Sequence, residues 1–80
     1  MDWREHIHSD PAILNGKPVF VGSRYAVERV LKLVGAGWTN DQIGQEYAGI
    51  TELHVRAAAL FAVDLMRDDS YVAIGQARAA

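Results

Sequence analysis

Hydrophobic positions change their period along the chain. Up to Arg24 the apolar residues come in short clusters: the alternating "HIHS" (6–9), "AIL" (12–14) and the β-branched and aromatic "VFV" (19–21). Such runs read as extended structure. Asn15-Gly16, between "AIL" and "KPVFV", is a strong hairpin signal because both residues tolerate positive φ. Pro18 has no N–H to donate, so its strand starts there or lies at an edge. Two or three very short strands are expected.

From Tyr25 the period becomes helical. Val27, Val30, Leu31 and Val34 fall at i, i+3, i+4 and i+7 across residues 25–35. Glu28 and Lys32 are spaced to pair at i, i+4. Gly35 and Gly37 supply the stop, since glycine enters the left-handed C-cap freely. Thr39-Asn40-Asp41-Gln42 then fits a capping box, with Trp38 and Ile43 at the staple positions around it. This predicts a short helix over 40–46. "AGI" leads to Thr51, where the longest helix opens and runs over 52–68. Val55, Ala58, Ala59, Ala62, Leu65 and Met66 form one stripe on it; Leu53, Ala57, Leu60 and Phe61 form another. A helix this apolar around its circumference needs cover on most sides. The remaining segment, residues 71–80, holds "YVAI" and "GQARAA" and reads as a tail to a single domain over 1–70.

Eighty residues make one small domain, which buries only about 60% of its unfolded surface. Half the residues are hydrophobic. That excess points to self-association or a partner, because small monomers rarely leave large apolar patches bare. The absence of cysteine excludes disulfides and thiolate metal sites. The first ten residues are charged and lack the apolar core of a signal peptide, and no apolar run is long enough for a membrane span. The expected location is the cytoplasm. A formal net charge of −2, with scattered basic residues, weighs against strong nonspecific affinity for nucleic acid.

Catalytic and cofactor chemistry find little to stand on. There is no Gly-x-Ser-x-Gly elbow and no cysteine nucleophile, and Glu52 and His54 sit two apart on a helix, on different faces. The chain reads as a non-enzyme without a cofactor. "NGKPVFVGSR" (15–24) places glycine beside lysine, but no Ser or Thr follows Lys17 and Pro18 leads into a strand, so it is no phosphate loop. His6 and His8 share a strand face, with only Glu5 and Asp10 near as further ligands. They read as exposed edge histidines and not as a metal site.

The order of these motifs resembles a known family. Asp10-Pro11, Gly16-Lys17-Pro18, Gly22-Ser23-Arg24, an apolar helix ending in Ala36-Gly37, then Tyr47, Thr51 and an Ala-rich helix make the chain similar, over roughly residues 6–66, to the domain of unknown function family numbered 433. The chain has Tyr25-Ala26 where that family usually has Ile-Pro, and Ala48 where it often has proline. The resemblance implies a mainly α fold: a three-helix bundle with a helix-turn-helix of the homeodomain-like or winged-helix-like type and short N-terminal β-strands. It also implies an antitoxin-like role, with a nuclease-like toxin as partner and a homodimer as the working state.

In a DNA-reading helix-turn-helix, the start of the second helix enters the major groove. Here that start carries Thr51, Glu52, His54 and Arg56, and Arg56 is the side chain suited to guanine. Thr51, His54 and Arg56, with Lys17 and Arg24 as flanking charges, are the candidate DNA contacts. Gly16, Pro18, Gly22, Thr39 and Gly49 are expected to be structural, and so is Arg24, as a latch onto carbonyls or Asp10. Two functions follow: a dimeric, DNA-binding, antitoxin-like regulator, or an interaction module of the same fold that leaves DNA alone. Positive potential around Thr51–Arg56 favours the first, and a neutral or acidic face the second.

Overall fold

A computed structural model describes residues 1–67. The chain is mainly helical, with three helices behind a two-stranded antiparallel sheet. A 3-10 turn, Trp3–Glu5, opens it. β1 (Ile7–His8) and β2 (Val19–Phe20) follow, then α1 (Val27–Gly35), α2 (Asn40–Glu46) and α3 (Glu52–Arg67). The expected tail, residues 71–80, lies outside the described residues, as does Asp68 at the end of the predicted third helix.

The strands pair Ile7 with Phe20 and His8 with Val19. Asn15-Gly16 does turn the chain, with φ of 58° and 83°, but inside a 3-10 turn over Leu14–Gly16. "AIL" is therefore not a strand, and the hairpin loop between β1 and β2 is longer than the two residues expected. Asp10 starts this reversal: its carboxylate accepts the Ala12 N–H at 2.9 Å and its carbonyl accepts the Ile13 N–H at 2.8 Å. That is the local bonding that makes Asp a turn residue. Pro18 sits just ahead of β2, where its missing donor costs nothing, and its carbonyl accepts the Val27 N–H at 3.0 Å.

A tight reversal hands β2 to α1. The Ser23 N–H donates to the Phe20 carbonyl at 3.0 Å across Gly22, whose φ is +80°. A β-turn with positive φ at its third position is one that glycine enters without steric cost. Phe20 N–H then donates to the Tyr25 carbonyl, and Val19 bridges Ala26. Ser23 pins the reversal: its hydroxyl donates to the Phe20 carbonyl at 2.9 Å and accepts the Tyr25 N–H at 3.1 Å.

α1 ends as its glycines predict. The Gly37 N–H reaches the Val34 carbonyl and the Trp38 N–H reaches the Leu33 carbonyl, both at 3.0 Å, with Gly37 at φ +92°. This is the Schellman pair of bonds, which satisfies two otherwise orphaned carbonyls. α2 begins on the predicted capping box: the Gln42 N–H donates to Thr39 Oγ1 at 3.1 Å and the Thr39 N–H to Gln42 Oε1 at 2.8 Å. Trp38 does not staple this start. It is exposed beside Gln42, Gln45 and Glu46.

Both strands, all three helices of the described residues and the link at Ile50 contribute to one core. Ile7, Phe20, Val27, Val30, Ile43, Ile50, Ala57 and Ala58 are buried together. Tyr25 and Tyr47 meet edge to face at 5.1 Å between centroids, where α1 begins and α2 ends. α3 faces this core with alanines, so its backbone lies close to the layer beneath. Neither stripe expected on α3 is the buried one as written: Ala57 and Ala58 are drawn from both, and Leu53, Leu60, Leu65 and Met66 are exposed.

The N-terminus is strapped to α3 by an aromatic contact. Trp3 packs edge to face on Phe61 at 4.8 Å and donates from Nε1 to Asp64 Oδ2 at 2.6 Å. The Arg4 guanidinium lies 4.5 Å from the centre of the Trp3 ring.

Candidate functional site

The two-helix layout expected over residues 40–68 corresponds, among the described residues, to α2, a five-residue link and α3. The link bends at Gly49, with φ +90°, while the Ile50 N–H donates to the Tyr47 carbonyl at 3.0 Å. Ile50 drops into the core and anchors the link. Behind it, Gly44 lets the link lie against α2: a Cβ there would stand 3.0 Å from the Ile50 carbonyl oxygen.

Thr51 precedes α3, and the third helical residue is a histidine whose side chain makes one of the two bonds of a capping box, while the His54 N–H donates to the Thr51 carbonyl at 3.0 Å. The Thr51 N–H donates to His54 Nδ1 at 3.1 Å, and the Thr51 hydroxyl lies 3.1 Å from the same atom. His54 thus fills at α3 the place that Gln42 fills at α2. Its ring is half-buried, edge to face with Phe20 at 5.4 Å and with His6 at 5.8 Å. Burial, and secondarily the charge of His6, hold His54 below the ordinary imidazole value of 6.5.

The five candidate DNA contacts do not form one basic face. Thr51 and His54 are bonded to each other, and His54 points at the N-terminal segment. Arg56 is exposed but pairs with Glu52 at 3.0 Å, one helical turn back. Lys17 stands elsewhere, on the rim of a groove beside the C-terminal half of α3, and pairs with Glu28 at 2.9 Å. That bond, more than the attraction between the charges, lowers the Glu28 carboxyl below its ordinary range. Glu28 therefore pairs across to Lys17, and not with Lys32 as the helix spacing predicted. Arg24 is exposed and, among the described residues, makes no ion pair or side-chain hydrogen bond. The Asp10 carboxylate is occupied by Ala12, so Ser23 and not Arg24 is the latch. A hollow between α2 and α3 carries Asp41 and Glu52 with Asn40, Gln45 and Thr51. The surface around the α3 start is thus mixed to acidic.

The expected pair of edge histidines also separates. His8 is exposed, while His6 is half-buried against His54. Among the described residues no group of three or more His, Asp or Glu could hold a metal ion. Among the described residues no helix is long and apolar enough to cross a membrane.

One exposed face of α3 is apolar. Leu53, Leu60 and Val63 are exposed at 46%, 42% and 44%. With Arg56 and Arg67 they occupy positions 53, 56, 60, 63 and 67, a 3-4 spacing that keeps one helix face in line. Met66 borders this face. On the core-facing side, Leu65 overhangs the end of the core and, with Leu31, Val27, Phe61 and Ala62, lines a groove of about 360 Å³ between α1 and α3. Sequence reasoning saw that α3 was apolar all round but did not say which face stayed bare.

A family profile described as Protein of unknown function (DUF433) matches residues 7–62, well over half of the chain. The chain belongs to that family. The match runs from β1 to within α3, so it takes in both strands, α1, α2, the Gly49 link and the His54 cap. Comparison with curated proteins and with solved structures returns no match.

Proposed function

We propose that this family member is a protein-interaction module that self-associates through the solvent face of α3. The observation that carries this reading is the bare row of Leu53, Leu60 and Val63 on that helix. Large apolar side chains scattered singly need no explanation, but three in register on one rigid face mark a contact surface. Arg56, within the row, and Arg67, at its end, suit such a contact, where arginine stems also cover apolar area. An antitoxin-like role, in which the surface also receives a nuclease-like protein, fits the same chemistry and rests on family analogy. Methyl-resolved NMR tests the surface directly. Dilution should shift Leu53, Leu60 and Val63 methyl signals and leave Val27 and Val30 unmoved; a spectrum independent of concentration removes the self-association.

A second reading, a dimeric DNA-binding regulator, is favoured by the layout of α2, the Gly49 link and α3, and by the exposed Arg24 and Arg56. The Glu52–Arg56 pair and Asp41 count against it. If Arg56 reads a base, Arg56→Ala should abolish a sequence-specific gel shift while leaving the fold intact. A shift unchanged by that substitution, or no shift at moderate salt, leaves the interaction module alone.

A further inference from the structure

We propose that α3 is closed by a proton-sensitive cap, in which neutral His54 accepts the Thr51 backbone N–H and protonation of His54 opens the junction between α2 and α3. The geometry fixes the neutral tautomer. A backbone N–H can only donate, so His54 Nδ1, at 3.1 Å from it, must carry a lone pair and the ring proton sits on Nε2. Adding a proton at Nδ1 turns acceptor into donor. The Thr51 hydroxyl, also 3.1 Å away, can rotate to accept it, but the Thr51 N–H is then left facing another donor.

Three surroundings act in the same direction. His54 lies in the first turn of α3, where the aligned peptide dipoles disfavour a cation. Its ring is edge-on to Phe20, an apolar wall. His6, from the N-terminal segment, stands 5.8 Å away and adds repulsion whenever it is charged. Against these, the nearest charges on its own helix are Glu52 and Arg56, and they are engaged with each other. Among the described residues no carboxylate bonds to the ring to compensate. At α2 the same backbone N–H position is capped by Gln42, which cannot titrate, so of these two helix starts the one at α3 responds to pH.

The sign follows from the lowered affinity for protons. The unfolded chain takes up a proton at His54 more readily than the folded one does. The stability held in the cap is therefore whole above the ordinary imidazole value and is lost as pH falls through the folded value. The α1–α2 junction is held by the Thr39–Gln42 box and not by this bond, so opening is local to the link, the first turn of α3 and the His6 and Phe20 contacts.

A nitrogen-15 NMR titration of the full chain, from about pH 8 to about pH 5, tests the cap. The Thr51 amide shift and the His54 ring signals should titrate with one midpoint below the ordinary imidazole value. After correction for intrinsic exchange, Thr51 amide protection should fall on the order of tenfold, as for loss of a cap. His54→Gln should keep the protection and abolish its pH dependence. His6→Phe, which keeps an aromatic edge and removes the charge, should move the His54 midpoint up. Thr51 protection that stays flat through the His54 titration overturns the proposal, as does an unchanged pH dependence in His54→Gln. If that variant does not fold, the titration of the unsubstituted chain decides alone.

Discussion

At the scale of single residues, position outweighs residue type. Gly44 is the sharpest case. An alanine there gains helix propensity of about 1 kcal/mol, but its Cβ would press on the Ile50 carbonyl, and Ile50 anchors the link. Overpacking of this kind costs about 1–3 kcal/mol. Gly44→Ala is therefore expected to lower stability by about 1 kcal/mol, and a raised urea midpoint would contradict the close approach. Trp3 is the second case. Trp3→Phe keeps the edge contact with Phe61 and loses only the bond to Asp64. The expected loss is about 1 kcal/mol, with faster amide exchange in Trp3–Glu5, since a half-exposed carboxylate regains water. Unchanged exchange there would show that ring packing alone holds the strap.

Neither residue was legible beforehand, and the reason is physical. Trp3 meets Asp64 across 61 positions of sequence, and nothing local in "MDWREHIHSD" announces that partner. Gly44 sits in a helix with no turn chemistry around it, so its need for a bare Cα comes only from the link folding back. By contrast, Thr39, Gln42, Gly37 and Asn15-Gly16 act on neighbours within a few positions, and their roles could be read directly. Arg24 shows the converse risk. A charge inside a recognisable motif invites a tertiary role, while the adjacent Ser23 does the bonding.

At the scale of elements, α2 depends on its ends. Seven residues are too few for a helix to hold itself, so the Thr39–Gln42 box and the burial of Ile43 carry it. Thr39→Ala should cost about 1 kcal/mol, and exchange should quicken first in Asn40–Glu46. Equal protection in the variant would mean that packing alone suffices. α3 is the opposite case: long, rich in helix formers and packed on alanines. Its start was plain from the sequence. The orientation of its faces was not, because an almost uniformly apolar helix has no periodicity to fix its rotation. The answer came from Ala57 and Ala58, the side chains small enough to lie against the buried layer.

At the scale of the whole molecule, a small chain spends its apolar residues on two surfaces. One is the shared core from Ile7 to Ala58; the other is the outer face of α3 with the nearby groove. The core explains why the fold was legible from motif order, since each strand, helix and link gives it at least one residue. The outer face explains why half the residues are hydrophobic in a chain with so little interior. The basic residues, meanwhile, are dispersed, and among the described residues Arg4, Lys17, Arg56 and Arg67 pair with carboxylates, so the one arginine at the α3 start, Arg56, is already engaged.

Sedimentation equilibrium of the full chain, beside a Leu60→Glu variant, tests the role of α3 most directly. Leu60 is 42% exposed and borders the N-terminal segment at Trp3, so the melting transition of Leu60→Glu is measured alongside, and an unchanged transition shows that the substitution acts by setting a charge in the middle of the exposed row. A concentration-dependent dimer is expected for the unsubstituted chain and a monomer for Leu60→Glu. An unsubstituted chain that stays monomeric at high micromolar concentration, or a variant that dimerises as well as its parent, would contradict it.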